Sequence, residues 1–159
     1  MIKVGDRIPN AVLQEKTSDG IQPLSTDQIF KGKKVVLFAV PGAFTPTCSM
    51  KHLPGFVQNA DSLKKKGVDT IACVSVNDAF VMEAWGKDQK VGDKVKMLAD
   101  GSAKFTDALG LGLDLTDKGL GKRSQRYAMV VEDGVVKKLA VEESGKFEVS
   151  SAESILGGL

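Results

Sequence analysis

The feature that most constrains this chain is an uninterrupted apolar run, Val35-Val36-Leu37-Phe38-Ala39-Val40, set between a basic turn (Lys31-Gly32-Lys33-Lys34) and the break Pro41-Gly42. Six residues is strand length, and a strand without polar alternation must be buried on both faces. Such a strand demands a covering layer on each side. The rest of the chain supplies these layers by alternation. Thr45-Pro46 signals a helix start, with Thr as cap and Pro at the first helical position. That helix is expected to run to Lys64-Lys65-Lys66, a solvated basic end stopped by Gly67, with a kink at Pro54. Residues 68–76 read as a second buried strand, and Asn77-Asp78 as caps of a helix to about Lys87. A third strand at 95–99 precedes a short helix at 102–109. Asp133-Gly134 joins strands 126–131 and 135–141 as a hairpin, and Ser150 with Glu153 forms a capping box for a terminal helix. The order β-α-β-α-β-α-β-β-α predicts an α/β fold, a central mixed sheet flanked by helices on both faces.

Composition narrows the class. The chain has 159 residues, 42% of them hydrophobic, which suits one domain over residues 1–159 with a sizeable core. A net charge of +2 is no electrostatic footprint for nucleic acid or an anionic membrane. Apolar runs are far shorter than a bilayer span, and the charged segment 1–7 has no apolar core like that of a secretory signal. Two cysteines do not make a disulfide scaffold, so any thiol chemistry points to a reducing compartment, with the cytoplasm expected.

In sheets of this kind reactive groups gather where strands end and helices begin. Here that place is Pro41-Gly42-Ala43-Phe44-Thr45-Pro46-Thr47-Cys48. Cys48 falls in the first helical turn, where unpaired N–H groups and the helix dipole favour thiolate over thiol, and its position after a loop predicts partial exposure. Thr45, three residues earlier, can aim its hydroxyl at the same sulfur, and Pro41 removes an N–H that would otherwise need a partner.

This segment resembles the active-site motif Pro-x-x-x-Thr/Ser-x-x-Cys of the peroxiredoxins. The continuation Lys51-His52-Leu53-Pro54-Gly55-Phe56 is similar to the type II, peroxiredoxin-5-like subgroup. So are residues 74–81, Trp85-Gly86 and residues 119–129. The resemblance spans nearly the whole chain and implies a thioredoxin-like fold. It also implies a thiol peroxidase that reduces hydrogen peroxide and organic hydroperoxides, in antioxidant defence and redox homeostasis. Carried over by residue, Cys48 is the peroxidatic cysteine, Thr45 the helper hydroxyl and Pro41 the shield. Arg126 is the arginine facing the thiolate, with Arg123 as its near rival.

The chemistry explains the set. An ordinary cysteine with a pKa of about 8.5 is only about 3% thiolate at pH 7, so ionising it gains roughly 30-fold. A less basic thiolate is also a poorer nucleophile. Fast peroxide reduction therefore needs charge stabilisation on the departing oxygen, for which Arg126, Thr45 and the N–H groups of Thr47 and Cys48 are suited. The product is a Cys48 sulfenic acid.

Some family members resolve that acid with a cysteine near the C-terminal helix. Val149-Ser150-Ser151 stands there in this chain, and Cys73 reads as a buried, inert strand residue. The resemblance to plant-like members implies a one-cysteine cycle with glutaredoxin or glutathione as external reductant and no bound cofactor. A thioredoxin-dependent cycle through Cys73 and a peroxide-sensing role are the alternatives.

Other constellations are weaker. Cys48 and His52 have helical spacing for one metal, but no further ligands accompany them, so His52 is expected to hydrogen-bond near the site or pack at the helix surface, with no catalytic role. A dithiol exchanger needs Cys-x-x-Cys, whereas Thr45-Pro46-Thr47-Cys48 has one thiol. The glycine-rich stretch 110–123 lacks phosphate-loop spacing and reads as a loop bringing Arg126 to the site. Trp85 is expected in the core. For Phe44 and Phe80 the resemblance implies a homodimer interface beside the site.

Overall fold

The structure is a computed structural model describing residues 1–159. The apolar run forms β3 (Lys34–Ala39), at the heart of a seven-stranded mixed sheet. Beside it lie β4 (Thr70–Ser75) and β5 (Lys96–Ala99), all three parallel. On the other side β8 (Tyr127–Glu132) pairs antiparallel with β3, and β9 (Val135–Val141) pairs with β8. The hairpin turn Asp133-Gly134 has positive φ at both positions (48° and 78°), as a tight two-residue connection requires.

Burial on both faces of β3 is realised by alternation. Val36 and Phe38 enter one apolar cluster, with Leu53, Phe56, Leu63, Met82, Trp85 and Ile155 of the overlying helices. Val35, Leu37 and Ala39 enter the other, with Ile29, Phe30, Phe105 and Leu109. The helices α1 (Thr26–Phe30) and α5 (Lys104–Leu109) cover this second face. The first face is covered by α2 (Leu53–Gln58), α3 (Ala60–Lys65), α4 (Ala79–Asp88) and α6 (Ala152–Gly157).

Several expectations are corrected. An N-terminal hairpin, β1 (Val12–Thr17) and β2 (Gly20–Ser25), extends the sheet beyond β5. Of its residues only Leu13 is fully buried, and Pro23 lies on the sheet's edge strand, so no buried alternation marks it in the sequence. The stretch read as a loop contains a separate hairpin, β6 (Gly112–Leu115) with β7 (Gly121–Ser124). The terminal helix is capped by Ser151, whose side chain accepts from Ser154 N–H, and not by Ser150.

The long helix after Pro46 is in three pieces. A π-helical turn, Cys48–His52, precedes α2, and Asn59 separates α2 from α3. Proline in a helix interior has no N–H and collides with the carbonyl four residues back. The widened turn ahead of Pro54, closed by Leu53 N–H on the Cys48 carbonyl, removes that conflict in place of a simple kink. Lys64, Lys65 and Lys66 are exposed, as a solvated helix end should be.

Candidate active site

Strand β3 ends at Ala39, and the loop after it returns the chain over the C-terminal ends of the parallel strands. Asn77, just beyond β4, ties this loop down: its Oδ1 accepts from Ala43 N–H at 3.0 Å and from the Ser75 hydroxyl at 2.7 Å. Phe44 sits in the left-handed region (φ 64°), strained for a bulky residue, and its ring tilts against Trp85 at 6.5 Å. The Trp85 indole N–H donates to Ser49 Oγ at 2.9 Å, so this core residue also pins the turn carrying Cys48.

Cys48 is fully buried, against the partial exposure expected of a helix start after a loop. It faces the cluster of Val36, Phe38, Leu53 and Phe56, because the helix start lies directly over the sheet. Two donors reach its sulfur. Arg126 Nη2 donates to Sγ at 3.1 Å, and Thr45 Oγ1 lies 2.9 Å from Sγ. Thr45 Oγ1 is also 2.7 Å from the Gly42 carbonyl. One hydroxyl proton cannot serve both acceptors, so Thr45 donates to Gly42 beside a thiol and to sulfur beside a thiolate. Thr45 therefore spends its hydroxyl here and does not cap the helix. The N–H groups of Thr47 and Cys48 have no acceptor within the protein.

Of the two candidate arginines, Arg126 meets the sulfur. Arg123 lies over the loop, its Nε donating to the Leu120 carbonyl. A Cβ on Gly42 would come within 3.1 Å of Arg123 Nη1 and 3.2 Å of Thr45 Cγ2, so glycine keeps room for both. Pro41, Thr47, Gln125 and Arg126 line a cavity of about 140 Å³ together with the 142–146 loop. A wider cleft of about 520 Å³ opens at the opposite, N-terminal ends of β3–β5, and neither cysteine lines it.

Of the two readings of His52, the hydrogen bond near the site is the one the structure shows, and packing at the helix surface is corrected by its burial. The ring is fully buried among Phe38, Phe56 and Phe147, and its Nδ1 lies 2.9 Å from Arg126 Nη1 while Nε2 lies 2.9 Å from the Ser150 carbonyl. Arginine offers only donors and a carbonyl only accepts, so Nδ1 is bare and Nε2 carries the proton. Burial first, and the Arg126 charge second, push the imidazole pKa down to about 3, against the Ser150 bond and the Glu142 charge. His52 is neutral at physiological pH. That its partner is Arg126 depends on folding; the sequence pointed only to a hydrogen bond near the site.

Cys73 lies in β4 opposite Phe38 and is fully buried. Burial chiefly, and Cys48 nearby, push its thiol pKa well up, with Arg126 pulling the other way. Both cysteines are free. No helix is long and apolar enough to cross a membrane.

The arrangement pairs a buried sulfur with a guanidinium, a hydroxyl and free backbone N–H groups, which suits attack on a bond whose leaving atom becomes an anion. Comparison with known proteins leads to the same chemistry. The pattern of the Redoxin family matches residues 3–156. Peroxiredoxin-2B of Arabidopsis thaliana is 54% identical over 99% of this chain and 98% of its own length. Reduced Prx3 from Vibrio vulnificus, solved in complex with hydrogen peroxide, is 57% identical, superposes with a TM-score of 0.96 and is covered at 99% on both chains. Peroxiredoxin 5 from Alvinella pompejana is 37% identical with a TM-score of 0.87, covering 98% of this chain and 96% of its own. The expected thioredoxin-like fold is thus borne out, and the chain belongs to the Redoxin family as a type II peroxiredoxin, a peroxidase that uses peroxide substrates and a thiol reductant.

Proposed function

We propose that the peroxidase reaction runs through Cys48, with Arg126 and Thr45 as its electrostatic partners, Pro41 as shield and residues 1–159 as a single domain. The observation that carries this reading is the convergence of Arg126 Nη2 and Thr45 Oγ1 on one sulfur. The thiolate attacks one peroxide oxygen, the S–O bond forms as the O–O bond breaks, and the departing oxygen leaves as water or alcohol once protonated. Arg126 and the N–H groups of Thr47 and Cys48 stabilise its charge. Cys48 is left as a sulfenic acid.

The surroundings of Cys73, a protonated thiol in the middle of β4, support a one-cysteine cycle. Glutathione condenses with the sulfenic acid, forming a mixed disulfide and releasing water. Glutaredoxin or a second glutathione then exchanges with that disulfide and returns the Cys48 thiol. Because Cys48 is buried, the π-helical turn must open to admit the reductant. Two free thiols and this reductant suit a reducing compartment such as the cytoplasm. Exposed Phe44 and Phe80 beside the site support a homodimer.

One observation favours a second reading. Cys48 and Cys73 share one apolar cluster, so a local opening could pair them as a disulfide for thioredoxin. Steady-state peroxide reduction by the native protein, Cys48→Ser and Cys73→Ser, each with glutaredoxin plus glutathione and with thioredoxin, tests both. Loss confined to Cys48→Ser, with glutaredoxin sustaining turnover, is expected. Loss in both variants with thioredoxin preferred would assign the resolving role to Cys73, and native turnover by Cys48→Ser would refute the site.

A further inference from the structure

The Arg126 side chain is long, and one contact to sulfur does not fix a guanidinium's orientation. Two more contacts do. Nη1 donates to His52 Nδ1, and the Phe147 ring lies 5.9 Å from the guanidinium carbon. His52 can accept only while Nδ1 is bare, a tautomer selected by the Ser150 carbonyl on Nε2. The orientation of Arg126 thus depends on where Ser150 and Phe147 sit. Both belong to the irregular segment between β9 and α6.

A single carboxylate organises that segment. Glu142 is 6% exposed, and its oxygens accept from Glu148 N–H at 2.8 and 2.9 Å and from Val149 N–H at 2.9 Å. They accept from Ser150 N–H at 2.8 Å and from the Ser150 hydroxyl at 2.7 Å. Three successive amides without a sheet or helix ladder are satisfied by one side chain. Burial alone would raise the Glu142 pKa, but these bonds outweigh it and hold the carboxyl below its ordinary value. Its own amide donates to the Arg126 carbonyl at 2.9 Å, so the anchor is bonded to the residue it serves.

We propose that Glu142 is a positioning residue for the peroxidase reaction, gathering the amides of residues 148–150 so that the Ser150 carbonyl orients His52 and His52 holds the Arg126 guanidinium on Cys48. This rests on the assignment of Cys48 and Arg126 above. A carboxylate that merely stabilised the loop would act on folding without regard to Arg126. A positioning residue acts only while there is a guanidinium to position.

A double-mutant cycle separates the two. The second-order rate of reduced protein with hydrogen peroxide is followed by Trp85 fluorescence for the native chain, Glu142→Ala, Arg126→Lys and the double variant, with circular dichroism as the folding check. Displacing a reacting group by an ångström or losing an outer support costs on the order of 10- to 100-fold. Glu142→Ala is expected to lower the native rate by that factor, yet to lower the Arg126→Lys rate by no more than about two-fold. Equal losses in both backgrounds, or no loss in the native one, would overturn the proposal. If Glu142→Ala does not fold, Glu142→Gln, which keeps one acceptor oxygen, is carried through the same cycle under the same criteria. A Cys48→Ser control that still reduces peroxide would refute the site assignment instead, which keeps the two failures apart.

Discussion

Arg126 Nη2 donates to Cys48 Sγ at 3.1 Å although 78 positions separate the residues in sequence. The contact exists because β3 and β8 are antiparallel neighbours, with Ala39 opposite Tyr127. The end of β3 and the residue before β8 therefore lie side by side, one leading to Cys48 and the other being Arg126.

Arg126→Lys keeps the positive charge and loses the fork that touches sulfur and His52 together. Peroxide reduction is expected to fall on the order of 100- to 1,000-fold, the usual cost of removing a donor aimed at developing charge. Stopped-flow kinetics checks this, with Arg123→Lys staying close to the native rate because Arg123 does not reach the sulfur.

Thr45 separates hydroxyl from shape. Thr45→Ser keeps the donor 2.9 Å from Cys48 Sγ, whereas Thr45→Val keeps the branched volume and removes it. Single-turnover rates should stay within a few-fold of native for Ser and drop by about 10- to 100-fold for Val. A near-native rate for Val beside a reduced rate for Ser would show that the methyl group matters and the hydroxyl does not.

His52 ties stability to acid pH. Its folded pKa, about 3, lies below the unfolded value near 6.5. Between these values the unfolded chain binds a proton that the folded chain excludes, so stability rises with pH across that window. Lowering the pH from 6.5 therefore costs on the order of 1 kcal/mol per unit, and the cost vanishes above about pH 7. Urea unfolding at pH 5, 6 and 7.5 should show this slope in the native protein and a shallower one in His52→Gln.

Cys73 should be chemically silent. Its thiol is fully buried and its pKa pushed up chiefly by that burial, so it is protonated at neutral pH. Mass spectrometry after iodoacetamide treatment of the native, reduced protein should find Cys73 unmodified, and unfolding in urea should open it. Rapid native-state labelling of Cys73 would overturn this and strengthen the two-cysteine cycle.

Much of the architecture was legible because burial writes itself into apolar pattern. Residues 35–40 and 68–76 carry runs that only a doubly covered strand explains, and Asp133-Gly134 carries the backbone freedom its turn uses. The β1–β2 hairpin was not legible, since an edge hairpin with one fully buried residue needs no such pattern. The π-helical turn was half legible: Pro54 announced a disturbance, and packing over the sheet decided its form.

At the candidate site, local sequence by itself brought Thr45 to Cys48, because a loop and a helix start bring these neighbours in sequence together in space. Motif resemblance added Arg126. Tertiary structure alone decided that Cys48 is buried and that His52, Ser150 and Glu142 stand behind that arginine. The reason is physical. Hydrogen bonds between distant residues require only that each polar group find a partner once the strands have paired, and such a requirement leaves no periodic trace in the chain.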